Sequence, residues 1–214
     1  MTVRQLSDQD SVANQFLSEL RDVQVQKDRL RFRHNLERLG EIMAYEISKE
    51  LPYSVKSVQT PLGVKKINMP AADIVLITIM RAGLPLLEGF QRIFDRAEVG
   101  FISSYRVEGE GTITVKTEYM ATPDLTGKTV MLIDTMLASG RSVADAVTAL
   151  EAKGRPGKLY LASVIAAPEG IAYLTKNIKQ AASLWTFSID ERLNANFYIV
   201  PGIGDAGDLA FGPK

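Results

Sequence analysis

The sequence predicts an α/β fold in which a largely parallel β-sheet is covered by helices on both faces. Five short apolar runs, at residues 74–80, 99–105, 129–134, 159–166 and 184–189, have the length and β-branched content of strands. Helical patterns separate several of them, and the runs are apolar on both faces, as is typical of parallel strands buried on both sides. Such sheets bind ligands where their strands end, so we expect the site in the loops after the runs.

The first 52 residues predict a helical cap at the start of the chain. One helix is expected around residues 12–20. A longer one is expected at 28–51, where apolar residues recur at helical spacing and arginines and glutamates fill the other faces. Pro52 ends this pair of helices.

The segment 106–120 predicts a projecting β-hairpin. Two arms of alternating polar and β-branched residues flank Gly109 and Gly111. The hairpin is either a lid beside a site or an ordinary surface hairpin.

Composition limits the classes of function. With 214 residues, 46% of them hydrophobic, the chain suits a single domain. Lys+Arg and Asp+Glu both number 25, so neither nucleic acid nor an anionic membrane is an expected partner. The chain has no cysteine, no secretory signal and no apolar run near the roughly 18 residues of a membrane span, which predicts a soluble, cytoplasmic protein.

The segment VMLIDTMLASGRSVADAV predicts a site for a ribose phosphate. An apolar strand ends in Asp134, and the small residues Ala138, Ser139 and Gly140 let backbone N–H groups approach an anion before a helix near Ser142. Asp134 can accept hydrogen bonds from the ribose hydroxyls while the loop holds the 5′-phosphate. Neither the P-loop nor the GxGxxG pattern is present. A plain turn with Ser142 as the helix N-cap is the alternative interpretation.

This segment resembles the phosphoribosylpyrophosphate (PRPP) signature of type I phosphoribosyltransferases, in the form Asp-Pro-Met-Leu-Ala-Thr-Gly-Gly-Ser of the uracil phosphoribosyltransferases. The resemblance implies the type I phosphoribosyltransferase fold. It also implies PRPP contacts along the loop, from Asp134, Thr135, Met136, Leu137, Ala138, Ser139, Gly140, Arg141 and Ser142. Thr135, Ser139 and Arg141 depart from the signature. Ser139 keeps a hydroxyl, whereas Arg141 either adds a cation near the phosphate or points to solvent.

Two arginines extend the resemblance. ITIMRAG is similar to the family's Pro-Ile-Leu-Arg-Ala-Gly, which implies that Arg81 binds pyrophosphate, and a guanidinium can hold two phosphate oxygens at once. The alternative is a strand-end arginine paired with a surface carboxylate. Arg106 corresponds to the family's second PRPP-binding arginine and begins the hairpin, whose closure would exclude water from the reaction.

The C-terminal part of the chain resembles the uracil-specific family. AAPEG and YIVPGIGDAGD match it, which implies that Ile199, Gly204, Asp205 and Ala206 contact uracil and that Asp205 also binds PRPP. Tight turns at glycines expose backbone amides and carbonyls, which can match the donors and acceptors of uracil. A calcium loop is disfavoured because the EF-hand spacing is absent.

The implied reaction is transfer of the phosphoribosyl group from PRPP to uracil, giving UMP and pyrophosphate. No protein nucleophile is expected, and Mg²⁺ is expected to bind through PRPP, not directly to the protein. The rivals are a phosphoribosyltransferase for another base and a regulatory protein that senses nucleotides and binds RNA.

The resemblance also bears on partners. Family members are often activated by GTP, and a homodimer or larger homo-oligomer is implied. The basic segment with Arg29, Arg31, Arg33 and Arg38 either binds such an effector or forms a solvated helix face or a subunit interface. His34, in the same segment, has no motif partner and is interpreted as a solvated or interface residue.

Overall fold

The computed structural model of the protein describes residues 1–109 and 112–213, apart from the side chains of residues 104–118. The helices in this part of the chain are α1 (Ala13–Arg21), α2 (Arg29–Ser48), α3 (Leu84–Ile93), α4 (Arg141–Leu150), α5 (Pro168–Asn177) and α6 (Ala206–Phe211). The strands are β1 (Thr2–Gln5), β2 (Tyr53–Thr60), β3 (Gly63–Pro70), β4 (Ile74–Met80), β5 (Glu98–Gly109), β6 (Thr112–Ala121), β7 (Thr129–Ile133), β8 (Met136–Leu137), β9 (Lys158–Ala166), β10 (Ala182–Ile189), β11 (Arg192–Leu193) and β12 (Ile199–Val200).

The main sheet has the strand order β1-β10-β9-β7-β4-β5-β6, and β8 pairs with β9. Its neighbouring strands are parallel, except that β5 and β6 form an antiparallel hairpin. The predicted α/β class with a largely parallel sheet is therefore confirmed.

The strands are apolar throughout because helices cover both faces of the sheet. In β4, Val75, Ile77 and Ile79 pack in the core under α4 and α5, whereas Leu76 packs in the core under α1, α2 and α3. Burying one such side chain contributes about 1.5–3 kcal/mol. Burial on both faces thus explains why these runs lack the alternation of a half-exposed strand.

The two predicted N-terminal helices are present as α1 and α2. The Asp28 side chain caps α2, accepting hydrogen bonds from the backbone N–H groups of Leu30 at 3.0 Å and Arg31 at 3.1 Å. The first residues, which carry no pattern that predicts structure, form β1 at one edge of the sheet, parallel to β10. The N-terminal segment thus contributes to the sheet as well as covering it.

Two hairpins extend from this core. β2 and β3 form a separate antiparallel pair with almost every residue exposed, in a region without a sequence prediction. β5 and β6 form the arms of the predicted hairpin at 106–120, whose turn at 110–111 and whose side chains up to residue 118 fall outside the described part of the chain. No helix in the described part of the chain is long and apolar enough to span a membrane.

Candidate active site

A cleft of about 450 Å³ lies where the parallel strands end. Its walls come from the end of β4, the loop between β7 and α4, and two segments near the C-terminus. They are formed by Ile79, Met80, Arg81, Ala82, Asp134, Met136, Leu137, Ala138, Ser139, Gly140, Ser142, Val143, Asn196, Phe197, Tyr198, Gly204, Asp205, Ala206 and Gly207. The cleft therefore brings together most of the predicted PRPP loop, Arg81 and the predicted base-binding turn.

The phosphate loop, residues 134–142, joins β7 to the start of α4. Asp134 donates its N–H to the Ala162 carbonyl at 3.0 Å, and its Oδ1 accepts from the Thr135 N–H at 2.7 Å. The first helical residue of α4 is Arg141, and Gly140 before it has a left-handed φ of 77°. The cap position thus belongs to Gly140 and not to Ser142. Gly140 has no side chain to cap this helix end. The Arg141 N–H donates to Ser139 Oγ at 3.5 Å, and the N–H groups that follow can bind an anion.

A contact between two glycines sets the position of the loop. A Cβ on Gly170, in the first turn of α5, would lie 2.3 Å from the Ala138 carbonyl oxygen. A Cβ on Gly140 would lie 2.7 Å from the Gly170 carbonyl oxygen. The AAPEG motif therefore has a structural role, because only glycine at its end lets α5 pack directly against the phosphate loop.

Two residues of the predicted PRPP loop do not line the cleft. Thr135 is fully buried, and its hydroxyl donates to the Ala82 carbonyl at 2.7 Å, which ties the phosphate loop to the loop after β4. Arg141 is exposed on α4. Burial raises the pKa of the Asp145 carboxyl, and the positive charge of Arg141 opposes that rise. The charge of Arg141 thus acts on Asp145, which lies one turn further along α4.

Arg81 reaches across the cleft to the C-terminal wall. Its Nη2 donates to Asp208 Oδ1 at 3.2 Å, and both terminal nitrogens lie 3.4 Å from the Gly212 carbonyl oxygen. Its Nε is buried without a hydrogen-bond partner. Arg81 is therefore paired with a carboxylate, as in the alternative interpretation, but that carboxylate belongs to α6, the helix that starts at the cleft wall.

The C-terminal wall is built on the start of α6. Asp205 is the N-cap of this helix, and its Oδ1 accepts from the Asp208 N–H at 3.0 Å. Gly204, Asp205 and Ala206 line the cleft, as expected for base-binding residues. The Ile199 side chain is instead buried in the core beneath them and does not line the cleft.

Sequence reasoning missed eight cleft residues. Five lie within two positions of a predicted one, namely Ile79, Met80, Ala82, Val143 and Gly207. The other three are Asn196, Phe197 and Tyr198. Asn194 holds their loop, because its Oδ1 accepts from the backbone N–H groups of Asn196 at 2.9 Å and Tyr198 at 3.0 Å. Phe197 has a left-handed φ of 61°, rare for an aromatic residue. The signal in the sequence that could have indicated these residues is a pair of adjacent aromatic residues beside a turn-forming asparagine, since aromatic rings can stack on a planar base.

Arg106, the second predicted PRPP-binding arginine, lies outside the described side chains. Its backbone belongs to β5, within the arms of the hairpin. Its contact with PRPP stays a prediction.

Comparison with known proteins gives the family. The family model for uracil phosphoribosyltransferase matches residues 7–213. The chain belongs to the uracil phosphoribosyltransferase family. It is 44% identical to the uracil phosphoribosyltransferase of Porphyromonas gingivalis over 215 residues, which cover 100% of both chains.

Solved structures agree with this assignment at the level of the fold. The AQ2163 protein from Aquifex aeolicus has a TM-score of 0.86 and 31% identity, covering 99% of this chain and 98% of that one. A hypoxanthine phosphoribosyltransferase from Staphylococcus aureus has a TM-score of 0.51 at 10% identity, covering 75% and 76%. The predicted family and the phosphoribosyltransferase fold are both confirmed.

Proposed function

We propose that this protein transfers the 5-phosphoribosyl group from PRPP to uracil, giving UMP and pyrophosphate. The observation that carries the proposal is the placement of the phosphate loop and the Gly204–Ala206 turn on two walls of one cleft. A sugar phosphate held by one wall would have its reactive carbon facing a base held by the other. Membership of the uracil phosphoribosyltransferase family supports the same reaction.

The phosphate loop would hold the ribose 5-phosphate. The N–H groups at the start of α4 point out of a ten-residue helix whose dipole favours an anion, and the Ser139 hydroxyl lies on the same wall. Asp134, which follows β7, would accept hydrogen bonds from the ribose hydroxyls. The sugar and its phosphate are thus held by adjacent residues on the rigid end of a buried strand.

Arg81 would bind the departing pyrophosphate. Its guanidinium already bridges the cleft, and pyrophosphate carries more negative charge than the partly solvated Asp208 carboxylate and can offer the guanidinium two oxygens at once. Because the buried Nε lacks a partner, a move of the Arg81 side chain from Asp208 onto PRPP would leave no hydrogen bond of Nε to break.

Catalysis would rest on positioning and electrostatics. The transition state gathers positive charge on the ribose ring, and the Asp134 and Asp205 carboxylates line the cleft beside it. We propose that PRPP arrives with Mg²⁺, which would offset the charge of the departing pyrophosphate. The proposed metal ligands are the phosphate oxygens of PRPP; the described residues contain no cluster of three metal-binding side chains.

Base recognition would use the backbone of the C-terminal wall. Gly204 and Ala206 line the cleft, and their main-chain groups would pair with the alternating donors and acceptors along one edge of uracil. We further propose that Phe197 or Tyr198 packs against the face of the base. Each residue is more than 40% exposed and lines the same cleft.

The proposal is tested by incubating the protein with radiolabelled uracil, PRPP and Mg²⁺. Labelled UMP is expected. A product formed only with cytosine or hypoxanthine in place of uracil would identify a phosphoribosyltransferase for another base. The absence of product with every base would refute the enzyme activity and favour the rival function, a nucleotide-sensing regulator that binds RNA. The zero net charge of the chain argues against that rival.

Several finer features are also proposals. We propose that the β5–β6 hairpin closes over bound PRPP, so that PRPP slows proteolytic cleavage at residues 109–111. A homodimer or larger assembly is supported by the exposed apolar side chains of the β2–β3 hairpin, Val55, Val58, Leu62, Val64, Ile67 and Met69. A cytoplasmic location is compatible with the lack of cysteine.

GTP activation is the least supported of these proposals. Within the basic segment of α2, Arg31 pairs with Glu19, Arg33 donates to the Ala210 carbonyl, and Arg38 donates to Asn35. An effector bound here would have to displace these contacts. A measurement of UMP formation with and without GTP decides the question.

A further inference from the structure

Arg21, the last residue of α1, and Asp190, just after β10, form a largely buried ion pair. Arg21 Nη1 donates to Asp190 Oδ2 at 2.8 Å, and Nη2 donates to Oδ1 at 2.6 Å. The Asp190 side chain is 3% exposed and that of Arg21 25%. Such a bidentate pair has a fixed geometry, because the planar guanidinium and the carboxylate restrain each other.

Both members of this pair also hold the peptide groups of Gly202. The Gly202 N–H donates to Asp190 Oδ2 at 2.9 Å, and its carbonyl accepts from Arg21 Nη1 at 2.9 Å. The Ser188 hydroxyl completes the arrangement by donating to Asp190 Oδ1 at 2.8 Å. Gly202 is therefore fixed through its donor and its acceptor, by residues from two different parts of the chain.

Gly202 stands two residues before the proposed base-binding turn. The chain passes from Gly202 through the buried Ile203 to Gly204, Asp205 and Ala206 on the cleft wall. Neither Arg21 nor Asp190 lines the cleft. Removing either side chain would remove no contact with a ligand. It would instead free the backbone at Gly202, just before the Gly204–Ala206 turn on the cleft wall.

We infer that Arg21 and Asp190 are positioning residues for uracil recognition, acting through the Gly202 peptide groups to hold the Gly204–Ala206 turn. This inference rests on the proposed function. It gives the N-terminal helix α1 a role in base binding, although α1 lies at the other end of the sequence.

The charge state of Asp190 is compatible with this role. Burial by itself raises the pKa of Asp190, but hydrogen bonds from Arg21, Ser188 and the Gly202 N–H outweigh it, and the net pKa lies below the ordinary value. The carboxylate is therefore ionised at neutral pH.

The test compares steady-state kinetics of wild type, Arg21→Gln, Asp190→Asn and the double variant. In each variant we expect the KM for uracil to rise about tenfold, the effect of losing one charge-assisted hydrogen bond. The KM for PRPP should rise less, because Asp205 is the residue of the turn that is implied to bind PRPP as well as uracil. The double variant should be no worse than the single variants, because both residues act on the same peptide groups. It also leaves no unpaired buried charge, so it is the variant best suited to fold.

Arg31→Gln is the matched control. Arg31 forms a comparable bidentate pair with Glu19, joining α2 to α1, with Nε–Oε2 and Nη2–Oε1 distances of 2.8 and 3.0 Å. Its loss should lower stability without changing the KM for uracil.

Hydrogen exchange provides a readout independent of activity. Amides of residues 202–206 should exchange faster in Asp190→Asn than in wild type and Arg31→Gln. Equal rises in the KM for both substrates, or kinetics and exchange matching the control, would overturn the inference. A wild-type protein that makes no UMP would instead refute the proposed function.

Discussion

A single methyl group added at Gly170 should displace the phosphate loop. In Gly170→Ala the new Cβ would lie 2.3 Å from the Ala138 carbonyl oxygen and 3.0 Å from that of Leu137, whereas ordinary contact begins at 3.4 Å. Both oxygens belong to the backbone and cannot rotate away. The loop and α5 must therefore separate by about 1 Å, because a close-packed interior has no spare volume.

The energetic effect has two opposing parts. Alanine is favoured over glycine within a helix by about 0.5–1 kcal/mol, and Gly170 lies inside α5. Overpacking costs about 1–3 kcal/mol, so we expect a net loss of stability of about 1–2 kcal/mol. The effect on catalysis should be larger, because misplacing a reacting group by about 1 Å can lower the rate about 100-fold.

The assay measures kcat/KM for PRPP together with the thermal midpoint. Gly127→Ala is the control, because Gly127 has a φ of 73° and no atom lies within 4 Å of the added Cβ. Its cost is a left-handed backbone strain of about 1–2 kcal/mol, at the end of β7 opposite the phosphate loop. Gly170→Ala with the kcat/KM of wild type, or of this equally destabilised control, would refute the role assigned to the glycine contact.

Three further predictions concern charged groups. Asp205→Asn keeps the hydrogen bond from the Asp208 N–H, so it should lose turnover without losing stability. Asp205→Ala also removes the helix cap, so denaturant titrations should show a further loss of about 1 kcal/mol in the free energy of unfolding. Full turnover in the asparagine variant would contradict the assignment of Asp205 to the site. Arg81→Lys should raise the KM for PRPP at least tenfold, because an ammonium cannot bind two phosphate oxygens in one plane. Initial rates at varied PRPP concentrations measure this KM. An unchanged KM would argue against pyrophosphate binding by Arg81. Hydrogen bonds, chiefly from Arg31, lower the pKa of Glu19 from 4.5 to about 2. This depressed pKa contributes stability above about pH 4.5 that is lost as the pH falls towards 2. Acid unfolding of Glu19→Gln should therefore be less steep in that range, and a curve parallel to wild type would contradict the assignment.

The sequence predicted the main sheet well because burial on both faces leaves a clear pattern. Strand β4 begins and ends where its apolar run does, at Ile74 and Met80. Helix α2 could be placed because its apolar spacing follows a capping aspartate, Asp28. β1 could not be predicted, since four residues at an edge carry too short a pattern and depend on β10 for their hydrogen bonds.

The site was predictable in its residue types and less so in its geometry. Gly204 and Asp205 line the cleft as expected, but the helix α6 that follows was hidden by a glycine-rich sequence of low helix propensity. Thr135 and Ile199 lie within matching motifs yet are buried, because a motif does not reveal which side chains face inward. Phe197 reached the cleft through a left-handed backbone that no pattern signals.

The order in which the cleft walls occur along the chain has a consequence for biosynthesis. A ribosome makes β10, the last strand of the main sheet in sequence, before residues 196–207, which form the base-side wall. The segment after β10 also supplies core side chains, those of Ile199, Ile203, Ala206 and Ala210, so the buried core is incomplete until this wall has been made. Premature termination just after β10 would therefore remove the base-side wall and part of the buried core together.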